Sequence, residues 1–125
     1  MIIGVGIDLC AIERVRKAIA RQGDRFVNRI LSPEEQADCG KRDLALFLAG
    51  RFAAKEAFSK VLDGARGVPW HDVHVRSLPN GRPRIELFRQ GLALAQSYGA
   101  DAWHVSITHD GGMAAAVVVL TSSGR

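Results

Sequence analysis

Arg51-Phe52-Ala53-Ala54-Lys55-Glu56-Ala57-Phe58-Ser59-Lys60 sets one carboxylate and three cations into an apolar, alanine-rich run. Continued in both directions, the pattern predicts a helix from about Leu44 to Leu62, the spine of whatever fold this chain adopts. At roughly 100° per residue, Arg51, Lys55, Glu56, Ser59 and Lys60 fall on one half, while Ala53, Ala54, Ala57, Phe58 and Val61 fill the other. A glutamate can hold a divalent cation, and arginine and lysine offer charge and hydrogen bonds to phosphate oxygens, so this helix could grip a metal–phosphate ester. Glu56 and Lys60 are also i,i+4 neighbours, the spacing of an ordinary surface ion pair, and the helix alone does not separate the two readings.

Towards the N-terminus, Ile2 to Ile7 is short and β-branched, which predicts a buried strand in which Gly4 and Gly6 admit another backbone or a ligand closely. Asp8 then ends an apolar strand, where a charge is costly unless a cation, a donor or water meets it. It is a candidate metal ligand, or else the N-cap of the helix that follows. Two carboxylates from separate elements, Asp8 and Glu56, match the sparse protein ligation of magnesium, which keeps waters and takes further oxygens from a phosphate substrate. Between Ala11 and Arg21, Ile12, Val15 and Ile19 define a buried helix face, and Arg14, Lys17 and Arg21 share another. With Arg25 and Arg29 this basic stripe is either a docking face for an acidic helix or a solvated face. Ser32-Pro33-Glu34-Glu35 is a start signal for a second, shorter helix.

Towards the C-terminus, Gly64 and Gly67 should end the long helix. Val73 and Val75 then alternate into a turn at Asn80-Gly81, with a partner strand at Ile85 and Leu87. A modest helix over Leu92 to Tyr98 stops near Gly99. Trp103, Val105 and Ile107 lead to Thr108-His109-Asp110-Gly111-Gly112 and a last apolar strand, Met113 to Leu120, forming a second hairpin. The reading is a small single α+β domain over residues 1–125, with a long central helix on antiparallel strands and no repeat or linker. His71 and His74 would point to opposite faces of an extended segment, which argues against zinc. Ser106, His109 and Asp110 lack a nucleophile elbow, so no hydrolase triad is read there.

Composition narrows the function. A net charge of +4 over 125 residues favours an acidic partner, but 6% aromatic content gives no stacking platform for single-stranded nucleic acid. Cys10 and Cys39 form neither a disulfide framework nor a CxxC pair, which suits a reducing cytoplasm. The opening segment has neither the basic leader of a signal peptide nor the length of a membrane span.

Taken together, Gly6-Ile7-Asp8, the Arg51–Lys60 stretch, Val105-Ser106-Ile107-Thr108-His109 and the Asn80-Gly81-Arg82-Pro83 turn resemble the bacterial holo-acyl-carrier-protein synthases, the short phosphopantetheinyl transferases. The likeness spans nearly the whole chain. It implies transfer of the phosphopantetheine arm of coenzyme A to a serine of apo acyl carrier protein, with release of adenosine 3',5'-bisphosphate. It implies Mg2+ on Asp8 and Glu56, Lys60 at the leaving phosphate, and Asp8 or a water it orients as the base. Arg51, Lys60, Asn80, Gly81, Pro83, Thr108 and His109 would contact coenzyme A, and Arg14, Arg21 and Arg25 would face the carrier protein. A homotrimer with active sites between subunits is also implied. The loop Asp63-Gly64-Ala65-Arg66-Gly67 departs from the family's usual Gly-Thr-Gly. A basic binding module without catalysis would explain the charge but not Asp8 beside the Glu56 motif. A nucleotide-dependent phosphotransferase would want a Walker loop, which the sequence lacks.

Overall fold

A three-stranded antiparallel sheet lies against one long helix in the computed structural model, which describes residues 1–62 and 68–124. The sheet has the order β1-β5-β4, with β1 at Ile2–Ala11, β4 at Ala102–Asp110 and β5 at Met113–Thr121. The long helix is α4, Leu44–Val61, one residue shorter at its end than the sequence pattern predicts. The expected stops at Gly64 and Gly67, like the divergent loop that holds them, lie outside the described residues.

Alternation along the strands divides the sheet into two faces. On one, Ala114, Ala116, Val118 and Leu120 of β5 are buried against α4. β1 packs on the same helix so closely that a Cβ on Gly6 would overlap the Ala57 carbonyl, and one on Gly4 would press on the Val61 side chain. The close backbone approach expected at these glycines is therefore that of α4. On the other face Val5, Ile7 and Leu9 are 57%, 65% and 63% exposed, so β1 is half-buried rather than fully buried. It also runs three residues beyond Asp8, to Ala11.

The opposite side of α4 is covered as well. α1 (Ile12–Gln22), α2 (Asp24–Ile30) and α3 (Pro33–Cys39) pack there together with a hairpin of β2 (Val73–Ser77) and β3 (Pro83–Leu87). Because both sides are covered, α4 buries Arg51 and Lys55 along with Ala53, Ala54, Ala57 and Phe58. The polar half that helical geometry predicts is thus reduced to Glu56, Ser59 and Lys60, which keep contact with solvent. A single helix wheel carries no information about how many layers will enclose it.

α3 starts as predicted: Ser32 Oγ accepts from Glu35 N at 3.2 Å, and Glu35 Oε1 accepts from Ser32 N at 2.9 Å, a closed capping box. The β2–β3 turn also follows its sequence, with Gly81 at φ 88° and Asn80 Oδ1 accepting from Arg82 N. Two features have no counterpart in the sequence reading. α2 is a separate helix because Gly23, at φ 59°, breaks the path of α1. α5 (Arg89–Ser97) begins three residues before Leu92, because buried Asp72 accepts from both Arg89 Nε and Gln90 N at 3.0 Å. Among the described residues, no helix is long and apolar enough to cross a membrane.

Candidate active site

β1 and α4 bring Asp8, Glu56 and Lys60 together at the C-terminal end of the helix. Lys60 Nζ donates to Asp8 Oδ1 at 2.7 Å and to the Ile7 carbonyl at 3.2 Å. The ammonium therefore serves the strand carboxylate, and the Glu56–Lys60 surface pair suggested by spacing gives way to a bond between elements. Asp8 does not cap a helix: the N-cap of α1 is Ala11, which has no side-chain cap bond. Its side chain is 15% exposed and that of Lys60 is 53% exposed, so the pair opens to solvent from the lysine side. Burial first, and the charge of Asp8 second, hold the Glu56 carboxyl above its ordinary pKa, while Lys60 pulls it down.

A buried Glu56 carboxyl made harder to ionise beside the Asp8 carboxylate is a place where a cation relieves strain. The described residues contain no cluster of three or more histidine, cysteine, aspartate or glutamate ligands. A pair fits magnesium, which makes up its octahedron with water and phosphate oxygens, better than it fits a metal needing a full protein cage. Nearby Cys10 is buried, and its thiol is pushed up by burial and then by Asp8, so it is no ready thiolate nucleophile.

A second cluster lies near the other end of α4. Arg51 is 6% exposed, with its guanidinium 4.0 Å above the Phe47 ring and its Nη2 donating to Ser77 Oγ at 2.8 Å. Its Nε is buried without a hydrogen-bond partner. Burial, and then the like charge of Arg42, draw the Arg51 pKa down to about 10. Gly81, Pro83, His109 and Arg42 share the walls of this cleft. Four of the residues expected at coenzyme A thus come together here: Arg51, Gly81, Pro83 and His109.

Three others do not join them. Asn80 is exposed and its Oδ1 closes the turn, and Thr108 lies on the outer sheet face in one row with Ala115 and Leu9. Lys60 is nine positions from Arg51, roughly 13 Å along the helix axis, so within one chain these two cations cannot hold the same phosphate. Arg42 is the residue that sequence reasoning missed. Its position just before the N-cap Asp43 would have been the signal.

Lys55, central to the motif, turns away from both clusters. Its Nζ donates to Glu35 Oε1 at 2.9 Å and to the Ile30 and Trp70 carbonyls at 2.6 and 3.1 Å, while Glu35 Oε2 accepts from Val75 N at 2.9 Å. This buried pair ties α3, α4 and β2 together. On the remaining face, Arg14, Lys17 and Arg21 of α1 border a groove floored by Val15, Phe26 and Phe52, and Arg25 on α2 is exposed.

Comparison with known proteins gives the family. The family model described as the 4'-phosphopantetheinyl transferase superfamily matches residues 4–118. A holo-acyl-carrier-protein synthase of Solidesulfovibrio magneticus is 47% identical over 122 residues, covering 96% of this chain and 98% of the relative. The crystal structure of the Helicobacter pylori holo-acyl-carrier-protein synthase in complex with coenzyme A superposes with a TM-score of 0.82 at 34% identity, over 94% of this chain and 99% of that one. The enzyme of the same name from Neisseria meningitidis gives a TM-score of 0.86 at 29% identity, over 98% of this chain and 100% of that one. With a β1 carboxylate bonded to the α4 lysine and that likeness running from end to end, the chain belongs to the holo-acyl-carrier-protein synthase family of phosphopantetheinyl transferases.

Proposed function

We propose that this protein moves the 4'-phosphopantetheine arm of coenzyme A onto a serine hydroxyl of apo acyl carrier protein and releases adenosine 3',5'-bisphosphate. The observation that carries the reading is the Lys60–Asp8 bond beside a Glu56 whose pKa is held up by burial and by Asp8, joined to family membership over nearly the full chain. Asp8 and Glu56 are the residues that would hold Mg2+, which when bound polarises the attacked phosphorus and takes up charge on the leaving phosphate. Lys60, still half-exposed, can neutralise that leaving side or give it a proton. Asp8, or a water it orients, receives the proton of the attacking serine.

Coenzyme A carries phosphate at two places, the pyrophosphate and the ribose 3'-phosphate. With the pyrophosphate at Asp8, Glu56 and Lys60, the cleft of Arg51, Gly81, Pro83 and His109 is left for the second, and Asn80 shapes the turn that forms its rim. The distance along α4 between the two clusters favours a site shared between copies. A homotrimer suits the apolar outer face of Val5, Ile7 and Leu9, and it would bring Thr108 to the coenzyme A at a subunit boundary. Arg14, Arg21 and Arg25 would receive the acidic carrier protein beside the apolar groove of α1. Buried, unpaired Cys10 and Cys39 suit the cytoplasm, and neither nucleic acid nor a membrane enters this reading as a partner.

The test is direct. Incubated with coenzyme A, Mg2+ and apo acyl carrier protein, the protein should add one phosphopantetheine mass to the carrier. Asp8→Ala and Glu56→Ala should lower turnover at least a hundredfold while the far-UV spectrum is kept. No addition across several carrier proteins would overturn the function, and near-normal turnover in either variant would overturn the metal assignment.

A further inference from the structure

Arg42 and Arg51 are two guanidiniums over one aromatic ring, at 4.8 and 4.0 Å from the centre of Phe47. Among the ion pairs of the described residues neither has a carboxylate partner. Burial, and then the like charge of Arg42, make the Arg51 guanidinium harder to keep charged. Arg42 spends its Nε on the Cys39 carbonyl at 3.4 Å and one Nη2 bond on the Asp38 carbonyl at 2.7 Å. Arg51 leaves Nε unpartnered and buried. What the two share is Ser77, whose Oγ accepts from Arg51 Nη2 at 2.8 Å and from Arg42 Nη2 at 3.3 Å.

Ser77 is itself fixed. It is the last residue of β2, and its N–H donates to Asp38 Oδ2 at 3.0 Å. Arg76 then grips Asp38 through Nε and Nη2, at 2.7 and 3.3 Å. One neutral oxygen, anchored by an ion pair on the far side, therefore sets where two cations point. A hydroxyl does this without cancelling their charge, whereas a carboxylate in its place would neutralise the pair and compete with an incoming anion.

We propose that Ser77 is a positioning residue for the transfer reaction: it holds the Arg42 and Arg51 guanidiniums convergent on the cleft so that both meet the 3'-phosphate of coenzyme A. This rests on the reading that the Arg51 cleft takes that phosphate. Ser77→Ala keeps the backbone bond to Asp38 and removes only the shared acceptor.

The test is steady-state kinetics of the full chain with coenzyme A and with dephospho-coenzyme A, which lacks the 3'-phosphate. Ser77→Ala should raise KM for coenzyme A about fivefold with kcat within about twofold, as expected when a group that acts only on binding is disturbed. KM for dephospho-coenzyme A should not move, the melting temperature should stay near wild type, and Ser77→Thr should restore KM. Arg51→Met separates the two layers of the argument. If it raises KM for coenzyme A and Ser77→Ala does not, Ser77 has no positioning part. If neither substitution changes KM, the cleft does not bind coenzyme A and the underlying reading falls. An equal rise with both co-substrates, or a loss confined to kcat or to melting temperature, would also overturn the proposal.

Discussion

Glu56 is a carboxylate that folding makes harder to ionise. Burial and Asp8 raise its pKa and Lys60 offsets only part of the rise. A carboxyl raised on folding favours the folded state while it is protonated. That stabilisation is fully present below the unfolded value, near 4.3, and is lost as pH climbs through the folded value. Glu56→Gln should therefore melt higher than wild type at pH 7.5 without divalent cation, and the gain should vanish towards pH 4. Added Mg2+ should raise the melting temperature of wild type at pH 7.5 and leave that of the variant where it was. A variant that melts lower at pH 7.5 would show that the carboxylate is satisfied within the fold and strains nothing. That Glu56 is the one carboxylate of its motif was readable from the sequence, because residue type is a local property. Lys55 was not readable, because its partner Glu35 stands twenty positions earlier and nothing in either local pattern announces the bond.

At the level of elements, the contact between β1 and α4 decides whether Asp8 and Glu56 meet at all. Gly6 lies backbone to backbone on Ala57, so Gly6→Ala must push the strand away from the helix. The cost should be at least about 1–3 kcal/mol, the usual range for overpacking a filled core. Because the displaced strand carries Asp8, transfer activity should fall far more than stability does. Chemical denaturation set beside single-turnover rates would read both, and a stable, fully active Gly6→Ala enzyme would mean that β1 is free to slide. The sequence predicted this approach from the glycines, and it predicted α3, both hairpins and the long helix from caps, turns and apolar period. It did not predict α2 or the early start of α5. A glycine break inside a continuous basic stripe hid the first, and the second depends on Asp72, a cap reaching across seventeen positions that no local window contains.

The whole molecule was less legible than its parts, because burial depends on layers that a linear pattern does not count. Arg51 read as a polar face residue, yet two enclosing layers leave it buried with one unpartnered nitrogen. The sheet shows the same limit from the other side: Val5 and Ile7 read as part of a buried strand and stand exposed, as does Leu9 beyond them. Across the molecule, Lys60 and the cleft at Arg51 lie roughly 13 Å apart along one helix. If each working site takes one half from each of two copies, the loss of either half is a property of a chain and not of a site. An Asp8→Asn chain, inactive alone, and an Arg51→Met chain, slow alone at low coenzyme A, should then regain part of the wild-type rate at low coenzyme A when unfolded together and refolded as a mixture. The restored fraction should follow the statistics of random assembly, and no restoration at any ratio would mean that each copy works alone. In a cell carrying both versions of such a gene, two defective alleles would rescue each other. A single allele defective in both halves would instead poison the assemblies it enters.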